Sequence, residues 1–355
     1  MTDKPSVHDI ETPSVLIDLD KVEANIRWMQ DTCDTLGVRF RPHIKTHKSP
    51  AIAAMQMKAG AVGIACQKTT EAEVFVDAGF KDIQLPYNIV GASKTSRLAE
   101  LAQEATITVT ADSLTVIDGI AAAASAANVT IRVLIEIVGP SERTGAAPED
   151  TLALAQRVLE HDSLDFRGVM IYPSTPESRP RLQAALDLLA ANDIPVAEIS
   201  GGGFGSLATA DQLPELTELR IGTYVFCDWR SVVKGWATLD QCAMTVRATV
   251  VSANEPTRFI LDSGSKALTA DAQDGVHGYI VEYPDARLYK VNEEHGYVDV
   301  TACEAQPKVG DVVHVIPIHT CVVTNLNDQV YGVRGDELVE VFEVEARGLL
   351  WFLKA

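Results

Sequence analysis

The 355-residue sequence contains no apolar run near the ~18 residues needed to span a bilayer. Its six cysteines, Cys33, Cys66, Cys227, Cys242, Cys303 and Cys321, form no C-x-x-C pair. That spacing speaks against a disulfide framework and suits reduced thiols in a cytosolic chain. Basic residues are scarce: 30 Lys and Arg stand against 49 Asp and Glu, for a formal charge of −19. This excludes a general nucleic-acid-binding surface and docking on anionic lipid, but leaves room for a locally basic pocket holding a phosphorylated ligand. The polar first nine residues lack the apolar core of a signal peptide, so a soluble, cytoplasmic protein is expected. No repeat of fixed period and no Ser/Gly linker is present.

What is there is globular composition, 46% hydrophobic and 22% charged, long enough for two domains or for one barrel with an appendage. From residue 20 to 238, short apolar runs alternate with amphipathic helical stretches. Strands are expected at Val38–Pro42, Ala61–Cys66, Asp82–Leu85, Ile107–Val109, Ile131–Ile137, Val169–Tyr172, Ala197–Ser200 and Arg220–Phe226. Seven or eight βα units in this length fit a (β/α)8 TIM barrel better than an open doubly wound sheet, which periodicity alone leaves open. From 239 to 355 helical periodicity fades. Strand-like runs at Thr245–Val251, Arg258–Leu261, Tyr297–Val300, Val312–Pro317 and Leu338–Val344, with a turn signal at Gly332–Asp336, point to a second, all-β domain.

Three motifs could carry chemistry. Arg41-Pro42-His43-Ile44-Lys45-Thr46-His47-Lys48 follows the first strand of the series, where a barrel places its active site. Cationic neighbours crowd a lysine toward its neutral, nucleophilic form, which suits Schiff-base chemistry; the plain alternative is a solvated basic loop. Ser200-Gly201-Gly202-Gly203 follows a late strand, and consecutive glycines let backbone N–H groups converge on a phosphate. It has neither the P-loop nor the dinucleotide spacing, and a flexible loop is the alternative. His319-Thr320-Cys321 follows Val312–Pro317. In an extended strand, residues two apart share a side, so His319 and Cys321 could chelate one divalent ion. Imidazole with thiolate favours zinc, and two protein ligands leave positions open; a buried thiol beside an ordinary histidine is the alternative. Glu136, Arg143, Asp262-Ser263-Gly264-Ser265-Lys266 and Glu293-Glu294-His295-Gly296 read singly as turns or surface charges, while Asp228-Trp229-Arg230 could be a substrate-facing loop, with simple packing of Trp229 as the alternative.

Together these motifs, with Thr12–Asp20, Gly63–Lys68, Arg220–Tyr224 and Leu261–Gly264, resemble the D-threonine aldolase and D-serine dehydratase family of fold-type III pyridoxal-phosphate enzymes, relatives of alanine racemase. The resemblance spans nearly the whole chain. It implies an alanine racemase-like fold, a barrel over 20–238 and a β domain over 239–355 that is joined by the N-terminal strand 12–19. It implies that Lys45 is the catalytic lysine and holds the cofactor as a Schiff base, with His43, Gln67, Arg143, Tyr172, Ser200, Gly201, Gly202, Gly203 and Tyr224 around it. His319 and Cys321 match the family's metal pair, which zinc, manganese or magnesium would fill. The implied substrates are 3-hydroxy D-amino acids, and the implied assembly is a homodimer. Arg230 and His295 are candidate substrate contacts, and Arg230 would suit an acidic substrate such as 3-hydroxyaspartate.

Within the family two outcomes are expected. Proton removal at Cα leads to loss of the hydroxyl, ending in a 2-keto acid and ammonia. Deprotonation of the hydroxyl leads to retro-aldol cleavage, ending in glycine and an aldehyde. The dehydratases carry H-x-C where aldolases often carry H-x-D, and Tyr172-Pro173-Ser174 lacks the histidine of the frequent Tyr-His-Gly. Both features tilt the expectation toward dehydration. A racemase on the same fold is a further alternative, set back by the metal pair, which racemisation does not need.

Overall fold

The computed structural model describes residues 5–349, which divide into two compact units. One comprises residues 29–45, 52–222 and 349; the other comprises residues 5–28, 46–51 and 223–348. The first strand, β1 (Ser14–Asp18), belongs to the second of these and is followed by helix α1 (Leu19–Leu36).

The barrel unit alternates strands and helices. They are β2 (Arg39–Phe40), α2 (Pro50–Ala59), β3 (Ile64–Ala65), α3 (Thr69–Asp77), β4 (Asp82–Asn88), α4 (Ala92–Leu101), β5 (Thr106–Ala111), α5 (Leu114–Ala127), β6 (Ile131–Ile137), α6 (Thr151–Leu159), β7 (Leu164–Ile171), α7 (Arg179–Ala190), β8 (Glu198–Gly202) and β9 (Glu218–Arg220). All eight strands run parallel, in the order β2-β9-β8-β7-β6-β5-β4-β3. Val62 N–H donates to Phe40 O at 3.0 Å and Ala65 N–H to Pro42 O at 2.8 Å, so the outer strands β2 and β3 meet and the ring closes. The sequence explains the arrangement. Every residue of β6 except Arg132 is buried, as a parallel strand covered by helices requires. Helix α1 buries Val22, Ile26, Met29 and Cys33 at steps of three or four. Helix α5 ends at Asn128 in the left-handed conformation, φ 54°, a conformation asparagine tolerates at a helix end.

The expected last strand, Arg220–Phe226, is a misreading of an apolar run. The ladder ends when His43 N–H donates to Ile221 O at 3.1 Å. Beyond it the amides of Phe226 and Cys227 both return to Thr223 O, closing the 3-10 turn Thr223–Val225. Apolar residues 224–226 are buried in that turn instead of in a strand.

The second unit is built on one large sheet. Its further strands are β10 (Met244–Glu255), β11 (Arg258–Leu261), β12 (Gly278–Ile280), β13 (Arg287–Val291), β14 (Gly296–Asp299), β15 (Val312–Pro317), β16 (Gln329–Arg334) and β17 (Glu337–Glu343), with short helices α8 (Trp229–Val233), α9 (Ser265–Leu268) and α10 (Thr320–Leu326). The order is β13-β14-β11-β10-β1-β16-β17, and β15 pairs with both β10 and β12. Strand β1 lies between β10, antiparallel, and β16, parallel, and its first four residues are buried. The turn read at 332–336 is shorter than the sequence suggests. Gly332, Val333 and Arg334 are still strand, and only Gly335-Asp336 turns. Gly332 sits in the ladder because any Cβ there would meet the Phe342 ring and Leu19. Among the described residues, no helix is long and apolar enough to cross a membrane.

Candidate active site

The barrel unit gathers its chemistry at the C-terminal ends of its strands. Just past β2, His43 is buried and Lys45 sits half-buried in the 3-10 turn Ile44–Thr46. Lys45 N–H lies 3.5 Å from His43 Nδ1, and the Gln67 side chain, past β3, hydrogen-bonds His43. Burial first, and then the positive charges of Lys45, Arg220 and Arg143, hold His43 well below the ordinary histidine range, so its ring is neutral. Past β7, the Tyr172 ring carries the exposed Arg143 guanidinium 4.5 Å from its centroid. Past β8 lies the glycine run. Ser174 pins it: Ser174 N–H donates to Gly202 O at 3.0 Å, and Gly202 N–H donates to Ser174 Oγ at 3.0 Å. A Cβ on Gly201 would strike Ser174 Oγ at 2.6 Å, and Gly203 has φ +111°, outside what an L side chain adopts without strain.

Beneath these groups runs a buried polar ladder that the sequence reading did not single out. Asp82 Oδ1 accepts from Arg41 Nη1 at 2.6 Å, and Arg41 Nε donates to Glu218 Oε2 at 2.8 Å. Glu218 Oε1 accepts from Ser200 Oγ at 2.8 Å, and Ser200 Oγ accepts from Arg220 Nε at 2.8 Å. Burial opposes the charge on Glu218, yet Arg41 and its hydrogen bonds keep the carboxylate below its usual range. Burial pulls Arg220 down to about 10, and its Nη2 is buried with no hydrogen-bond partner. The signal for this ladder was available: Arg220 and Glu218 flank Leu219 in a strand whose residues all turn out buried.

In the other unit, His319 and Cys321 are together, but not as expected. They do not share one side of an extended strand. His319 caps helix α10 and Cys321 lies in its first turn, because the strand β15 ends at Pro317 and the chain turns. The two side chains hydrogen-bond each other, and that contact, against the cost of burial, raises His319 to about 9. His319 Nδ1 lies 3.0 Å from Asp271 Oδ2, and Arg230 Nη2 lies 3.7 Å from the same oxygen. Cys321 Sγ is 3.2 Å from Thr46 Oγ1 and 3.8 Å from Thr223 Oγ1. Thr46 is the covalent neighbour of Lys45. Asp228 is buried and caps α8 through Ser231 N–H at 2.8 Å; burial raises its carboxyl above the usual range. Tyr224 is fully buried. His295 is exposed in the turn between β13 and β14. Asp271 had no sequence signal, standing alone in Thr269-Ala270-Asp271-Ala272.

Residues 17–228 match the family described as alanine racemase, N-terminal domain, and residues 243–333 match a serine dehydratase domain. The chain is 35% identical over 356 residues to D-threonine aldolase from Arthrobacter sp., covering 96% of this chain and 93% of that one. The chain belongs to the D-threonine aldolase and D-serine dehydratase family. It is also 29% identical to D-threo-3-hydroxyaspartate dehydratase from Delftia sp. (strain HT23), with 88% of this chain and 91% of the relative covered. The crystal structure of D-threonine aldolase from Filomicrobium marinum superposes with a TM-score of 0.88 at 32% identity, over 98% of this chain and 99% of the other. Membership makes the chain a pyridoxal-phosphate-dependent lyase of fold type III, with an alanine racemase-like barrel.

The residues present fit that cofactor. A buried guanidinium with an unused N–H calls for an acceptor, and glycines approach closely at the same end of the barrel as the Lys45 amine. For a metal, the described residues contain no cluster of three or more His, Cys, Asp or Glu that could hold an ion. What they offer is the pair His319 and Cys321, a nitrogen and a sulfur donor already in contact.

Proposed function

We propose that this chain is a pyridoxal-phosphate- and divalent-metal-dependent lyase of 3-hydroxy D-amino acids. The observation that carries the reading is the unpartnered, buried Arg220 Nη2 in the barrel unit, whose strand ends also carry Lys45 and the glycine run. When bound, the cofactor supplies an electron sink for a bond broken at the substrate Cα, and the ion supplies a Lewis acid for an oxygen. In this reading Lys45 would hold the cofactor covalently, and its amine would be the base that takes the proton from Cα. Gly201, Gly202 and Gly203 receive the phosphate with their backbone, and the unpartnered N–H of Arg220 donates to a cofactor acceptor. Neutral His43, held by Gln67, and Tyr172 under Arg143 wall the cofactor. His319 and Cys321 give two ligands, the thiolate favouring zinc over manganese or magnesium, and leave positions for the substrate hydroxyl.

Dehydration is the reading we favour. Lys45 removes the Cα proton and the β-hydroxyl departs as water; hydrolysis of the resulting imine returns that water and releases a 2-keto acid and ammonia. Pro173 supports it, since the position where many relatives carry a histidine has no group able to move a proton from the hydroxyl. Aldol cleavage is the second reading, favoured by the 35% identity to an aldolase against 29% to a dehydratase. Incubation of the holoenzyme with D-threonine, D-serine and D-threo-3-hydroxyaspartate separates them. Keto acid and ammonia are expected; glycine with an aldehyde overturns dehydration, and turnover of L-isomers alone overturns the substrate class. Lys45→Ala is expected to lose the cofactor's visible absorption and at least roughly 10²–10⁴-fold in rate, the usual worth of one acid–base group.

A further inference from the structure

The loop after α9 is bent at Thr269, whose φ is +75°. A β-branched residue in that region is strained and persists only where the surroundings enforce it. Thr269 is buried, and its Oγ1 accepts the amide N–H of Asp271 at 3.0 Å. The Asp271 carbonyl lies 2.9 Å from His277 Nδ1. The aspartate is therefore held from both sides of its own backbone, and its carboxylate Oδ2 sits 3.0 Å from His319 Nδ1.

We propose that Asp271 is the positioning residue that aims His319. A carboxylate only accepts, so Nδ1 must be the donor, and in the neutral ring that leaves the lone pair on Nε2. The ring can then neither flip nor change tautomer without breaking this bond, and Nε2 is the nitrogen presented to an ion together with Cys321 Sγ. Arg230, 3.7 Å from the same Oδ2, forms an ion pair with the carboxylate. Arg230 is itself anchored by its neighbour Trp229, stacked on Tyr279 with ring centroids 4.5 Å apart. This inference rests on His319 and Cys321 being the metal pair.

The test is zinc affinity of the full-length, cofactor-loaded protein, measured by competition with a chromophoric chelator, together with the absorption spectrum of the cobalt(II)-substituted form. Supporting ligands of this kind are worth roughly 10–100-fold in metal affinity. Asp271→Ala is expected to lose that much, and Asp271→Asn, which keeps an acceptor oxygen but no charge, less. The cobalt band should change in both, while the metal-free melting temperature of Asp271→Asn stays at the wild-type value. If both variants bind zinc as wild type does while His319→Ala does not, Asp271 has no positioning role and the proposal falls alone. If His319→Ala also binds like wild type, the metal pair falls and takes the proposal with it.

Discussion

The two units handle polar groups in opposite ways. In the barrel, Asp82, Arg41, Glu218, Ser200 and Arg220 are joined end to end, and all but Asp82 are nearly or fully buried. In the β unit, the cluster Arg230, Asp271, His319 and Cys321 is half-exposed. A buried ladder cannot relax into water, so each member must be matched, and the single unmatched atom, Arg220 Nη2, stands out as a demand for a ligand. A half-exposed cluster can be completed by water and can rearrange. The barrel's ladder is therefore rigid within its own unit, and the β unit's cluster is an adjustable edge of that unit.

The sharpest way to break this contrast is Glu218→Gln. It leaves the Arg41 charge buried with only Asp82 opposite it. Removing one partner of a buried pair typically costs roughly 3–5 kcal/mol, read as a drop in urea midpoint with unchanged slope. A loss below about 1 kcal/mol would mean that the ladder is hydrated. Next comes Gly203→Ala. With φ at +111° and Ser206 Oγ 2.9 Å from the new Cβ, it should cost roughly 1–3 kcal/mol and weaken cofactor retention, measured by dialysis and visible absorption. Unchanged retention would remove the glycine run from the cofactor seat.

The same contrast explains what was legible in the sequence. In the barrel, long parallel strands are apolar on both faces and helices repeat at 3.6 residues. The strand β6 (Ile131–Ile137) is read to the residue, and Lys45 and the glycine run stand out by position. Strand β9 was misplaced because Tyr224, Val225 and Phe226 are as apolar as a strand yet fold as a turn. In the β unit, β11 and β15 are read to the residue, but β12, β13 and β16 were not seen; β12 has only three residues, β13 buries only Leu288 fully, and the end of β16 was read as a turn. His319 and Cys321 were paired from the assumption of an extended strand, and they meet through a helix start instead. Glu218 and the role of Arg220 were missed because a buried charge is defined by its partners, which lie far off in the chain, and half-buried Asp271 because its partner His319 stands 48 residues away.

A smaller effect concerns pH. His43 is held neutral by burial, then by Lys45 and Arg220, so its folded-state affinity for protons lies well below that of the unfolded chain, near 6.5. Above pH 6.5 both states are neutral and the group is silent. As pH falls below 6.5 the unfolded state takes up a proton that the folded state refuses, and stability is lost at up to about 1.4 kcal/mol per pH unit until the folded ring titrates. His43→Gln should flatten the melting-temperature profile between pH 6.5 and 5 relative to wild type. Identical profiles would show that the ring titrates in the fold as it does in the unfolded chain.

The smallest effect should come from Cys321→Ser, and it is the other half of the contrast. The thiol is only half-buried, and its neighbours are the His319 ring and the hydroxyls of Thr46 at 3.2 Å and Thr223 at 3.8 Å, all of which a serine can also meet. The change in metal-free stability should be about 0.5 kcal/mol or less, the usual size for a partly exposed position with no cavity left behind. Zinc affinity should nevertheless fall, because a serine hydroxyl is a poor ligand beside a thiolate. A loss of several kcal/mol without metal would show that Cys321 is a packing residue, and the adjustable edge would then be as rigid as the barrel.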